Sequence, residues 1–564
     1  MMRRWNWPAA TLLMVPGLTA SLSALVLVPG FAASLSALVL VPGLAASLSA
    51  QQPADTAQRD TGQLARSRIA GIVIQPVPVF DSVEARRFWG YRVLNALHVV
   101  TRPWVIREEL LFHTGEVYDS ARVYETARNL RALGVFRSVR IDSVSTDSGI
   151  VMRVSTQDGW TTNLELDLRS SGSQLLVTAG ALERNLAGTN TRAQVLYQQN
   201  PDRSLVFLSL LRPRLIARRI GVGGTYETRS DGEAATGLLD YPFFSLTSHG
   251  GGSLGAEYLN GRVLQFVGGN TTAADSLRRN YEIARASYGL ALRSSHSGYV
   301  RAGFYAQLRR EDYLPGAATG PFTRTISAAV GPWVEARHVD FLTVRGYQTV
   351  GRDEDIDLGV GARAQLLAAP HGWGYDRGGA GPALTLSLGH RVPNGFVLLN
   401  GQADGLVNGA GLDSGSVTGS ATMALLGGER LLGVLNVSGG AQRNGYPGEE
   451  FDFGLGFGPR AFPAHSFTGN RYFLMSAEGR WIPFPSVLNL VAVGGAVFVD
   501  HAGAWYAGSP RRTGSDVGFG LRLAPLRTGS LIMARLDLAY RFRNDAQRGG
   551  IVFVVGEGFA FQRF

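Results

Sequence analysis

From Gly458 to Trp505 the chain reads GPRAFPAHSFTGNRYFLMSAEGRWIPFPSVLNLVAVGGAVFVDHAGAW, a glycine-rich loop carrying Arg460 followed by two alternating segments, each with one carboxylate among apolar neighbours. Strand side chains alternate with period two. If Glu478 faces inward, so do Ser476 and Arg480, while Phe473, Met475, Ala477 and Trp481 point outward. In the next segment Asp500 shares a face with Ala492, Gly494, Ala496 and Phe498, opposite Val491, Val493, Val497 and Val499. The pattern returns with Val517, Phe519, Leu521 and Leu523 against Gly518, Gly520 and Arg522, and with Leu536, Leu538, Tyr540 and Phe542 against Arg535, Asp537 and Arg541. A soluble sandwich also alternates, but its apolar face fills a core; here the other face carries charge and glycine that fill nothing. An apolar exterior around a polar lumen is the way a sheet crosses a membrane.

Composition supports many strands joined by turns. The chain has 564 residues, 72 of them glycine, with 17% charged. Cysteine is absent, so disulfides and thiolate metal sites are excluded. Lysine is absent too, so the net charge of +10 rests on arginine spread along the chain. Without a basic run or an aromatic stacking platform this charge does not point to nucleic acid. A lumen, or loops facing anionic lipid headgroups, accounts for it more simply.

Residues 1–50 begin with Arg3 and Arg4, continue through an apolar stretch and end in small residues, the outline of an export signal cleaved between Ala46 and Ala50. A thirteen-residue unit, VPG(L/F)xASLSALVL, starts at Val15, Val28 and Val41. Its Pro-Gly pairs interrupt any long helix, which favours a duplicated signal core over a spanning anchor. Residues 51–68 read as a polar linker. A compact α+β unit is expected over 69–157: a strand from Ile69 to Val79, an extra helix within 82–100, and a short helix around Arg107–Leu111. A second helix follows, capped by Asp119 or Ser120 and stopped at Gly134, then strands Val135–Val144 and Ile150–Thr156. From 158 to 564 the pattern is strand after strand. At about two dozen residues per strand with its connection, some sixteen strands are expected; the alternating segments number nearer twenty, some of them read as halves of one long hairpin.

The order strand, helix, helix, strand, strand, with the run TRPWVIREELLFHTGEVYDSARVYETARNLRALGVFRSVRID, resembles the polypeptide-transport-associated (POTRA) domain of the BamA/TamA outer-membrane assembly family. Arg107, Leu110, Gly115, Arg128, Leu130 and Phe136 fall on its landmarks. As plain structure, Leu110, Leu130 and Phe136 read as core, and Gly115 and Gly134 as backbone needs. The stretch from Gly458 to Asp500 also resembles that family's barrel, in which a loop arginine folds into the lumen and meets strand carboxylates. The resemblance implies Arg460 as that arginine, Phe462 as the loop aromatic, and Glu478 and Asp500 as the acids; the usual intervening glycine is Ala461. The alternative is a solvated Arg460 with the acids as pore lining. Five strands follow the loop, starting near Arg471, Leu488, Val517, Leu531 and Ile551. The terminal GIVFVVGEGFAFQRF, with Phe559, Phe561 and Phe564, reads as a targeting strand, although Phe559 and Phe561 share a face with Glu557 and not with Phe564.

The fold expected is therefore mainly β: a transmembrane antiparallel barrel of about 16 strands preceded by a small α+β POTRA-like domain. The resemblance implies a non-enzymatic protein of the bacterial outer membrane, its small domain in the periplasm, which inserts or translocates other proteins. Its partners would be outer-membrane lipids including lipopolysaccharide, unfolded outer-membrane clients and periplasmic accessory proteins, with no nucleic acid, cofactor or metal. A weakly closed seam is expected beside the first barrel strand, near Thr162–Leu168. The rival readings are a passive channel and a secretion partner for a single substrate. Gly251-Gly252-Ser253-Leu254-Gly255 matches a hydrolase pattern but sits in an alternating stretch with no helix after it. Asp353, Glu354, Asp355 and Asp357 read as an exposed polar loop before a cation site. His98 and His113 lack companions at metal spacing, and Gly454, Gly456 and Gly458 suit strand curvature.

Overall fold

The computed structural model describes residues 67–171, 174–216, 219–270, 273–315, 325–455, 457–528 and 533–561. The expected export signal, the linker up to residue 66 and Phe564 lie outside the described residues.

The amino-terminal unit runs β1 (Ile69–Val77), α1 (Ser82–Arg87), α2 (Trp89–Leu97), α3 (Pro103–Glu108), α4 (Ser120–Ala132), β2 (Phe136–Thr146) and β3 (Gly149–Asp158). β3 lies in the centre of the sheet, parallel to β1 and antiparallel to β2. Asp119 caps α4 by accepting from Ala121 N at 2.9 Å, and the chain leaves the helix through Gly134 at φ +71°. Alternation along β3 buries Ile150, Met152 and Val154 against Val105, Ile106, Val123 and Leu130. Pro103 starts α3 earlier than the 107–111 expectation, because proline has its φ preset for the first helical position. Within 82–100 the expected single extra helix is two.

Between Thr162 and Glu557 twenty antiparallel strands form the barrel wall among the described residues, with the first, Thr162–Ser171, beside the last, Gly550–Glu557. The expectation of sixteen is corrected to twenty. At one end the hairpins turn in a few residues, as between Ser295 and Gly298, Val392 and Gly395, or Val487 and Val491, so each strand with its connection takes about twenty residues, not two dozen. Two further hairpins are not wall: Phe341–Val344 pairs with Glu354–Asp357, and Phe451–Phe453 pairs with Phe467–Gly469.

The alternation read from the sequence is the inside and outside of this wall. Ser476, Glu478, Arg480, Asp500, Arg522 and Asp537 are buried, whereas Trp481, Val497, Phe519 and Leu521 are exposed, Val497 at 65%. Apolar side chains facing outward recur around the wall, from Leu208 and Leu254 through Phe304, Leu386 and Val417 to Phe553. The Gly251–Gly255 pattern lies inside the strand Gly250–Gln265 with no helix after it.

The small domain closes the end of the barrel where the turns are tight. Arg131 forks onto Asp355 at 2.7 and 3.0 Å, Arg214 meets Glu109 at 3.3 Å, and Arg192 donates to Leu133 O at the carboxyl end of α4. Leu130 is fully buried at the centre of the domain core. Leu130→Ala should cost about 2 to 5 kcal/mol. The expected result in the full chain is faster protease cleavage within residues 69–158 with the heat-dependent gel mobility of the barrel unchanged.

Candidate functional site

The loop between strands Leu431–Arg443 and Arg471–Val487 folds back into the lumen and carries Arg460 into it. The Arg460 fork grips Asp500, Nε to Oδ2 at 2.7 Å and Nη2 to Oδ1 at 3.3 Å. Nη1 donates to Asp537 at 2.8 Å and lies 3.5 Å from Glu478. The guanidinium also sits 3.6 Å from the centre of the Phe498 ring. A planar donor fork that never loses its charge suits three acids on three strands.

The cluster is larger than the sequence-derived set. Arg460, Glu478 and Asp500 meet as expected, and Asp537, Asp516, Arg480, Arg522 and Arg535 join them. Arg522 binds Glu478 at 2.9 and 3.1 Å and Asp537 at 2.6 Å. Arg480 donates to Glu478 at 2.5 Å and Arg535 to Asp537 at 2.8 Å. Four arginines therefore pair with three carboxylates, and Asp516 lies beside them. Asp516 accepts from Ala461 N at 2.9 Å, and Arg541 donates to Ala461 O at 3.0 Å. Both backbone groups of the loop tip are thus held. Ala461 is not among the residues at positive φ, which is why alanine serves where a glycine was expected.

The wall makes room for the loop with inward-facing glycines. A Cβ at Gly514 would overlap the rings of Phe462 and Phe467, and one at Gly520 would overlap Asp537 Oδ1. Phe462 is fully buried in an aromatic group with Phe453 and Phe467. A second fastening is His465, held at φ +60°. Its Nδ1 lies 2.7 Å from Asp452, its Nε2 3.1 Å from both oxygens of Asp202, and its ring stacks on Phe266 with centroids 3.4 Å apart. Burial alone lowers the imidazole pKa; the hydrogen bonds to Asp202 and Asp452 outweigh it and push the group up to about 9.

The other expected residues separate into three groups. Leu110, Leu130 and Phe136 are core, Gly115 turns at φ +91°, and Arg107 is exposed. Arg128 faces the barrel, its guanidinium 4.1 Å from the ring of Phe341. Phe559 and Phe561 are not on the wall, contrary to the expectation of a targeting strand that includes them. The last strand ends at Glu557, Gly558 turns at φ +58°, and Phe559 is buried beside Tyr347 and Phe561, with Arg480 3.9 Å from its ring. The acidic run is likewise no exposed loop: Asp353 pairs with Arg345, Asp355 with Arg131 and Asp357 with Arg337. Glu354 is buried and accepts from Gln348 N and Thr349 N; burial pushes its carboxyl up to about 7. Among the described residues no group of three or more acidic or histidine side chains is placed to hold a metal.

No protein-family profile matches the chain, and no curated protein matches it. Among solved structures it is similar to BamA from Haemophilus ducreyi lacking POTRA domains 1–3, at 14% identity over 86% of this chain and 84% of that one, with a TM-score of 0.35. CdiB from Escherichia coli matches at 9% identity, 88% and 77% coverage and a TM-score of 0.44. The FrpB iron transporter from Neisseria meningitidis matches at 8% identity, 80% and 89% coverage and a TM-score of 0.37. None of these likenesses bears on activity.

Arg460→Ala leaves Glu478, Asp500 and Asp537 short of a partner in a dry lumen, and removing one member of such a set costs about 3 to 5 kcal/mol. The expected outcome is a folded barrel that converts to its unfolded gel mobility at a distinctly lower temperature. For His465 the folded pKa lies above the ordinary value of 6.5, so its contribution is complete below pH 6.5 and is lost as pH rises through about 9. The difference in unfolding temperature between the native chain and His465→Asn should therefore be largest near pH 6.5 and vanish above about pH 9.

Proposed function

We propose that the chain is an outer-membrane barrel that inserts or translocates other proteins, with a periplasmic POTRA-like domain at its tight-turn end. The observation that carries this reading is the seam. Neighbouring wall strands pair over seven to eighteen positions, as in Val330–His338 with Val360–Ala368 and Leu277–Ser295 with Gly298–Pro315. The first and last strands share one pair among the described residues, Val554 with Arg169. A barrel ordinarily abolishes sheet edges. Here the barrel closes, but among the described residues no ladder pair joins Thr162–Leu168 to the last strand, and the outward Leu164 and Leu166 are 79% and 70% exposed.

The inward turn at Gly558 accounts for the part of the gap from Thr162 to Glu165, which that register would set opposite Gly558 to Phe561. Continuing the register of the Val554–Arg169 pair would set Phe559 opposite Leu164 and Phe561 opposite Thr162, on the outward parity of Ile551 and Phe553. Both rings are instead drawn inside, where Phe559 rests against Tyr347 and against Arg480 of the ion cluster. An open edge in contact with lipid can pair with an extended incoming strand through backbone hydrogen bonds alone, without demanding a sequence. The passive-channel reading is less well supported, because the Arg460 loop is buried inside the barrel, Tyr347 and Phe559 pack there against Arg480 of its ion cluster, and the small domain lies over one mouth.

The test joins Leu168→Cys to Val555→Cys, which that register sets opposite each other, in a chain with no other cysteine. Purified protein in liposomes is expected to accelerate the folding of an unrelated barrel, to lose this under oxidation and to regain it on reduction. A large steady conductance with no acceleration would favour the channel, and export of one cognate substrate without acceleration the secretion partner.

A further inference from the structure

A surface helix ordinarily turns its apolar stripe to the protein and its polar face to water. α2 does the reverse. Its protein side carries Tyr91 and Asn95, which tie it down through polar handles: Asn95 bonds the backbone of Phe80 in both directions at 2.7 and 3.1 Å, and Tyr91 stacks on the Phe80 ring at 4.2 Å. Its free side carries Trp89, Val93 and Leu97 at i, i+4 and i+8, with Trp89 65% and Leu97 71% exposed, and no residue of the helix is buried. Val83 of α1 and Phe88 at the junction extend the same exposed surface.

The position of this stripe points to its occupant. The hydroxyl of Tyr91 donates to Leu488 O at 3.0 Å, at the turn between wall strands Arg471–Val487 and Val491–Trp505. Leu488 is itself 79% exposed, and the outward side chains just inside it on the wall are the aromatic Phe484 and Trp481. The helix therefore stands against the small-domain rim of the apolar belt and continues it. Arg527 fixes it there, binding both oxygens of Glu84 in α1 at 3.0 and 2.8 Å and Asn489 O at 2.8 Å. Arg86, Arg87 and Arg92 are exposed around the stripe, while Asp81 is used as a cap and Glu84 is held by Arg527. An apolar face with tryptophan, flanked by arginines and level with the end of a lipid-facing wall, has the build of an element lying in the headgroup and acyl boundary of an anionic monolayer.

We propose that α1 and α2 form an interfacial foot that rests in the leaflet of the same bilayer on the small-domain side, recognising anionic phospholipid. This rests on the reading of the barrel as membrane-spanning. The foot would fix the height and tilt of the small domain beneath the wall, next to the seam, since Trp160 bridges to Thr528 beside Arg527 just before the first barrel strand.

The cysteine-free chain allows single labels. Trp89→Cys, Val93→Cys and Leu97→Cys, each carrying an environment-sensitive fluorophore, are reconstituted in phosphatidylethanolamine–phosphatidylglycerol vesicles containing lipids brominated on the acyl chain. Val497→Cys on the belt and Val144→Cys in β2 serve as comparisons. The expected result is quenching at 89, 93, 97 and 497 and none at 144, with the helix signal reduced, and that at 497 unchanged, when phosphatidylglycerol is omitted. Quenching at 497 alone would overturn the foot and leave the barrel reading standing. No quenching at 497 would overturn the barrel reading itself. Helix labels already shielded in detergent, in proportion to protein concentration, would assign the face to a second copy of the chain and overturn the proposal.

Discussion

Charges buried inside a barrel must be matched to one another, and that requirement shapes the barrel around Arg460. Arg460, Arg480, Arg522 and Arg535 meet Glu478, Asp500 and Asp537, all on or beside four neighbouring strands, while Asp516 holds the loop through Ala461 N. Such a lattice adds little net stability compared with an apolar core, but it tolerates one arrangement, because any displaced member leaves an uncompensated charge. The lumen loop is thereby given a single seat, and the inward glycines at 514 and 520 are the space that seat requires.

The same lattice reaches the seam. Arg480 spans from Glu478 to the ring of Phe559, and the residues that would otherwise lengthen the last strand are held inside by that contact and by Tyr347. A wall whose first and last strands share so short a ladder needs something to hold its end in place. Here the contacts that hold the tail are internal, the Phe559 ring against Tyr347, Phe561 and Arg480. One arginine thus touches both the acid that meets the lumen loop and the aromatic tail.

Much of this was legible in the residues. Period-two alternation placed 476, 478, 480, 500, 522 and 537 on the inner face, and the Asp119 cap and Gly134 stop bounded α4 to within a residue or two. What alternation could not supply was height. Which inward charges share a level depends on strand tilt and register across the wall, so alternation places Arg522, Arg535 and Asp537 on the inner face without joining them to Arg460, and only the resemblance joins Glu478 and Asp500 to it. Strand number failed for a different reason: the alternating segments themselves number nearer twenty, and sixteen follows only from allowing about two dozen residues per strand, more than these tight hairpins use. The tail was misplaced because Phe559 and Phe561 keep the outward parity of Phe553, and nothing local in Gly558 separates a turn from one more strand residue. The free face of α2 was invisible as such, because a stripe at 89, 93 and 97 reads as core in any helix.

A density map of the full chain in a lipid nanodisc, determined by electron cryomicroscopy, tests the central claim most directly. The account predicts twenty wall strands around a lumen in which the Arg460 side chain touches Asp500 and Asp537, with Phe559 inside and a gap beside Thr162–Leu168. A loop lying outside the wall with Arg460 in solvent, and a last strand running on through Phe561 with a complete ladder to the first, would contradict it.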